Sequence, residues 1–136
     1  MITFKQFLEG LKDIAKRADE DPPILADLVY DEMIKQSKDK GIEIHKFHAP
    51  TDTNAYFQYR SKQWISLSVN LTIRKEGKEH RVVLSYIRPS TESIDHVEEL
   101  HKYLTKDVDR HSTVELADII LHRLKKIADD YERHDS

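Results

Sequence analysis

The sequence predicts an α+β fold in which an antiparallel β-meander is bracketed by helices, and three observations carry that prediction. Apolar residues recur every three or four positions up to Ile34, alternate strictly with polar ones from Ile65 to Arg74, and return to helical spacing after Pro89. The chain, 1–136, reads as a single domain. Within it, 1–40 is expected to form a helical hairpin, 42–88 a three- or four-stranded antiparallel sheet, and 90–133 a pair of C-terminal helices.

The first expected helix places Phe4, Phe7, Leu8, Leu11, Ile14, Ala15 and Ala18 on one face, with Thr3 and Gln6 spaced for a capping box. The acidic run Asp19-Glu20-Asp21 breaks it. Asp21 then suits a cap and Pro22 the first position of a second helix, whose stripe is Ile24, Leu25, Leu28, Val29, Met33 and Ile34 and whose stop is Gly41. From Ile42 the period changes to two. Ile42 to His45 fits a short edge strand, which Ala49-Pro50-Thr51-Asp52 interrupts. Asn54–Arg60, Trp64–Lys75 and Glu79–Arg88 read as the strands of the meander, joined by turns at Ser61-Lys62-Gln63 and Glu76-Gly77-Lys78. In the middle strand Ile65, Leu67, Val69, Leu71 and Ile73 share one face and the polar residues between them share the other. That apolar face requires a cover, which amphipathic helices supply. After Pro89, Ser90 or Ser93 is placed to cap a helix bearing Ile94, Val97, Leu100, Tyr103 and Leu104. A final helix follows, with Ser112 and Glu115 spaced as a capping box and Val114, Ala117, Ile120, Leu121, Leu124, Ala128 and Tyr131 along one face.

Composition narrows the functional classes. With 3 Gly and 4 Pro among 136 residues, a disordered chain or long flexible linker is disfavoured, and the absence of Cys removes disulfides, thiolate metal sites and a cysteine nucleophile. No apolar run is long enough to cross a bilayer, and Lys5 and Glu9 interrupt any secretory signal, so a cytoplasmic location without membrane contact is expected. Charge is unevenly placed. The net is −3 for Met1–Thr53, +5 for Asn54–Arg88 and −5 for Pro89–Ser136. In the basic segment Arg60, Lys62, Arg74, Lys75, Lys78, Arg81 and Arg88 stand among Tyr56, Tyr59, Trp64 and Tyr86, with Asn70 and Thr72 on the same polar face as Trp64 and Arg74. Such a mixture fits a solvated sheet face, an acidic protein partner, or phosphates and stacked bases.

The eight histidines give no ligand spacing. His45 and His48 lie three apart in a strand, His96 and His101 five apart in the expected helix, and Glu98-Glu99 between the latter pair does not make a His-Glu-x-x-His motif. There is no phosphate-binding glycine loop, no Gly-x-Ser-x-Gly elbow and no isolated carboxylate pair in apolar surroundings. Metal, cofactor and catalytic residues are therefore assigned to none, leaving an active site assembled by tertiary contacts as the enzymatic alternative. Met33, Tyr103 and Tyr131 fall in helical stripes and read as core or interface residues rather than a cofactor site.

The opening Met1-Ile2-Thr3-Phe4-Lys5-Gln6-Phe7-Leu8-Glu9-Gly10 resembles the aromatic-rich amphipathic leaders of proteins from T4-like tailed phages. The resemblance implies a phage origin. In the internal head proteins of that group such a leader implies prohead targeting and cleavage after the glutamate, whereas here the stripe runs on unbroken to Ala18. The leading expectation is a small non-catalytic binding protein, an inhibitor or modulator of a host protein acting by protein contact. A nucleic-acid-binding module using the basic sheet face and a virion structural component are the alternatives. An open sheet edge also allows a homodimer across a two-fold axis.

Overall fold

The computed structural model describes residues 24–89 and 91–135 and has an α+β architecture, with five antiparallel strands backed on one face by two helices. Helix α1 is Ala26–Ser37, the strands are β1 Glu43–Lys46, β2 Asn54–Arg60, β3 Ser66–Glu76, β4 Glu79–Ile87 and β5 His96–Leu104, and helix α2 is Ser112–Asp135. Strand order follows chain order, β1-β2-β3-β4-β5. The expected first helix, the leader resemblance, and Asp21, Pro22 and Ser90 all lie outside the described residues.

The alternation in β3 sets the two layers. Leu67, Val69, Leu71 and Ile73 point to the helices together with Ala55, Phe57 and Tyr59 of β2 and Val82 and Leu84 of β4, and all are buried. Helix α1 contributes Val29, Tyr30 and Met33; α2 contributes Leu116, Ala117, Ile120, Leu121, Leu124, Ile127 and Ala128, a spacing of threes and fours that keeps one stripe on the sheet. Each fully buried large side chain stabilises by about 1.5–3 kcal/mol. Core formation thus rests on one face of the sheet. The opposite, outer face has no helix against it among the described residues.

Three expectations need correction. The stretch from Ile94 to Leu104 is not a helix but contains β5, which pairs with β4, so among the described residues the sheet has five strands rather than three or four and a single α-helix follows it. The cause is a bulge opposite Val82 and Val83: Leu100 is inserted without a partner on β4, which breaks the alternation and mimics a helical spacing of threes. Ile94 at 76% exposure and Val97 at 67% do not belong to a buried stripe. Helix α1 also starts later than expected, at Ala26, with Leu25 as an extended N-cap lacking a side-chain bond. Its first free N–H groups are met from another segment, since Ala26 N donates to Asp52 O at 2.8 Å and Asp27 N to Thr51 O at 3.1 Å. A tertiary contact, not a local cap, fixes that end. Likewise Ser112 and Glu115 do not close a capping box. Ser112 Oγ accepts the Asp109 N–H at 3.0 Å, and the Glu115 carboxylate takes the Tyr103 hydroxyl at 3.2 Å.

The turns follow the sequence more closely. Glu76 pairs with Glu79 around Gly77-Lys78, and Gly77 at φ +60° with Lys78 at negative φ makes a type II′ turn, whose twist matches the strands it joins. Gly41, at φ +68°, ends the excursion after α1, and a Cβ there would stand 2.8 Å from Lys62 Cε. Because Lys62 can swing away, backbone strain dominates. Gly41→Ala is expected to lower stability by about 1–2 kcal/mol, with Gly77→Ala, which meets nothing within 4 Å, at the lower end of that range. Urea titration of the two variants beside the parent checks both the sign and the order.

Candidate protein-binding surface

Alternation divides the residues singled out in the sequence between two faces. Arg60, Asn70, Thr72, Arg74 and Arg81 share the outer face, whereas Lys75 and Tyr86 fall on the helix-facing side. Lys62 and Trp64 sit in the β2–β3 turn, Lys78 in the β3–β4 turn, and Arg88 follows β4. The seven cations therefore do not line one groove.

At its centre the outer face is polar without being charged. Asn54 Nδ2 donates to Asn70 Oδ1 at 2.6 Å and to Thr72 Oγ1 at 3.3 Å, binding two strands through side chains, and Gln58, Ser66, Ser68 and Ser85 continue the patch. At the β1 side Phe47 packs on Tyr56 with ring centroids 4.5 Å apart, and both rings are exposed. Charges are kept to the margins and mostly paired. Arg81 Nε lies 3.3 Å from Glu76 and 3.6 Å from Glu79, an electrostatic contact without hydrogen-bond alignment, and Lys102 reaches Glu79 at 3.6 Å. Exposed pairs of this kind contribute about 0–1 kcal/mol each. Their effect is to cancel the local positive field.

The turn after β2 is the outlier. Ser61 N donates to Ile65 O at 2.9 Å, Trp64 N to Ser61 O at 3.0 Å, and Ile65 N to Ser61 Oγ at 3.1 Å, a closed loop that forces Trp64 to φ +65°. It is the only non-glycine residue among those described with positive φ. A large side chain in this region costs about 1–2 kcal/mol relative to right-handed backbone. Its indole is nevertheless 72% exposed, and the Arg60 guanidinium lies 5.2 Å from the ring centroid. Strain and apolar exposure coincide at one residue.

On the helix-facing side Tyr86, with Arg88 beyond the end of its strand, belongs to a structural network. Tyr86 stacks on His96 at 5.2 Å, Arg88 lies 5.4 Å from the Tyr131 ring, and Tyr131 donates to Glu92. Arg123 of α2 grips Glu98 of β5 through two bonds of 2.6 and 3.0 Å. That bond to Glu98 raises the arginine pKa further, while burial, followed by Glu98, raises the Tyr86 hydroxyl. The network ties α2 to the edge strand. Sequence reading missed Arg123 and Glu98 because the pairing depends on the strand identity of β5. It also passed over Phe47, for which no local signal exists; Tyr56, in contrast, shares the outward parity of Asn54, Gln58 and Arg60.

A cleft of about 430 Å³ opens between the end of α1, the β2–β3 turn and α2, with Ile42, Leu121 and Tyr59 among its lining. Its rim mixes both signs, with Lys40 and Asp118 paired at 3.6 Å, and among the described residues it holds no nucleophile bonded to a base. No three His, Asp or Glu side chains among the described residues are grouped to hold a metal ion, and no described helix is long and apolar enough to cross a membrane. No family model, curated protein or solved structure matches the chain.

Proposed function

We propose that this chain is a small non-catalytic binding protein that docks the outer face of its sheet on a protein surface, with Trp64 as the anchor. The observation that carries this reading is the strained, exposed Trp64 with Arg60 beside its ring. Tryptophan and arginine are the side chains most enriched where interface energy concentrates, and an unfavourable backbone angle persists where function compensates for it. The neutral centre of the face agrees, since charged residues are depleted in the cores of interfaces and aromatic ones enriched. With the Arg60 guanidinium beside the indole, the complementary surface is an apolar pocket with a carboxylate at its rim.

The resemblance of Met1–Gly10 to phage leaders makes a protein of a bacterial host the first partner to test, as target of an inhibitor or modulator. Nucleic acid has less support from this geometry. Its recognition draws on a continuous positive path, and here Arg81 and Lys102 are engaged by carboxylates while Tyr86 and Lys75 face away from Arg74.

Affinity capture from host lysate is expected to retain one stoichiometric species on the parent protein and to lose it on Trp64→Ala, with affinity down by roughly 30-fold or more for an anchor worth about 2 kcal/mol. Equal retention by both proteins would overturn the role of Trp64. Recovery of nucleic acid, released steeply by salt, would replace the protein reading altogether.

A further inference from the structure

The two edges of the sheet are unlike. β1 is four residues long and displays Glu43, His45 and Lys46, the short charged form that discourages strand addition. β5 is nine residues long, and among the described residues no strand pairs with its outer edge. On the open face it exposes Val97 and Leu104, with Glu99 and Lys102 between them. Glu99 has no ion-pair partner among the described residues, and Lys102 has Glu79 alone.

The bulge restricts how this edge can meet a copy of itself. Glu98, His101 and Tyr103 face the helices, and Leu100, partly buried against the core, does so too, so the alternation slips between Leu100 and His101. In an antiparallel self-pair each residue faces one whose number gives a constant sum, and opposed side chains must lie on the same face. Registers centred on either side of the slip oppose an inward residue to an outward one. An axis between Leu100 and His101 keeps every opposed pair from Val97 to Leu104 on a common face. It sets Val97 against Leu104 and Glu99 against Lys102, each twice.

We propose that two copies of this chain associate through β5 in this register, joining their sheets into one of ten strands. A bulge and edge charges ordinarily deter strand addition. Here the axis falls on the bulge and opposes unlike charges, so the same devices favour a copy over an unrelated strand. This inference is independent of the docking role of Trp64, which lies at the β2–β3 turn.

Light scattering on the full chain should give twice the chain mass of 16.0 kDa at micromolar concentration. Glu99→Lys alone and Lys102→Glu alone oppose like charges twice, and each should raise the dissociation constant by about tenfold or more. The double variant should restore it. Because the chain lacks cysteine, a second readout is clean: mixed Val97→Cys and Leu104→Cys proteins should form a disulfide-linked heterodimer under oxidation, and neither should crosslink with itself. A monomer up to roughly 100 µM, a dimer indifferent to both single reversals, or self-crosslinking as efficient as mixed crosslinking would each overturn the proposal. Circular dichroism confirms that the variants remain folded.

Discussion

Raising the pH from 10 to 12 should remove about 2 kcal/mol of stability through Tyr59 alone, and Tyr59→Phe should abolish that share of the loss. The Tyr59 hydroxyl is buried, has no hydrogen-bond partner among the described residues, and has its pKa pushed up to about 12, first by burial and then by the Asp129 carboxylate. A raised folded-state value means that stability is fully present below the unfolded pKa of 10.0 and is lost as pH rises through the folded value. Between the two, the unfolded chain gives up a proton that the folded one retains. Tyr30, Tyr86, Tyr103 and Tyr131 are shifted in the same direction, each chiefly by burial, so the whole protein should unfold more steeply in alkali than Tyr59 alone dictates. At neutral pH the substitution acts differently. Removing an unsatisfied buried hydroxyl while keeping the ring should stabilise by about 1–2 kcal/mol. Urea titrations of both proteins from pH 8 to 12 test the pair of effects, and a destabilised Tyr59→Phe would show that the hydroxyl has a favourable interaction.

Trp64→Gly should separate stability from binding. Glycine adopts φ +65° without the steric conflict that tryptophan meets, so relief of strain is worth about 1 kcal/mol net of glycine's entropy cost. Losing the exposed Arg60 contact returns about 0.5 kcal/mol of it. The expected result is a protein at least as stable as its parent, with a melting temperature higher by about 2 °C, that no longer holds its partner. A variant that loses stability and binding together would mean that Trp64 serves the fold. Trp64→Ala keeps the strain while losing the ring, and therefore ranks below Trp64→Gly in stability with the same loss of capture.

What was legible in the sequence tracks how local its cause is. β3 reads directly because pleating puts alternate residues on opposite faces, and Leu67 to Ile73 obey that alternation without a fault. The stripe of α2 is as plain, because it covers a sheet along much of its length. β5 fails the same test through one inserted residue, Leu100, and because Glu98, Glu99 and Lys102 suit a helix as well as an edge strand. The start of α1 was hidden for another reason, since the groups that complete it are carbonyls at Thr51 and Asp52. For the surface, composition located the basic segment but not its pairing. Arg81 is basic in the sequence and close to neutral with its neighbours in the fold, whereas Trp64 gains its distinction from a backbone angle that no residue pattern announces.

The strand order has a consequence for how the chain comes together. Every strand pairs with the one before it, so the sheet can grow by successive hairpins, each closing a short loop at small entropic cost. During synthesis no strand has to wait, unpaired, for a distant segment. Helix α1 is the exception, because its first turn cannot complete its hydrogen bonds until Thr51 and Asp52 have emerged and turned back towards it. The described segment made first is thus finished only after the loop leading into β2 exists, and the sheet sets the timetable for the helix that covers it.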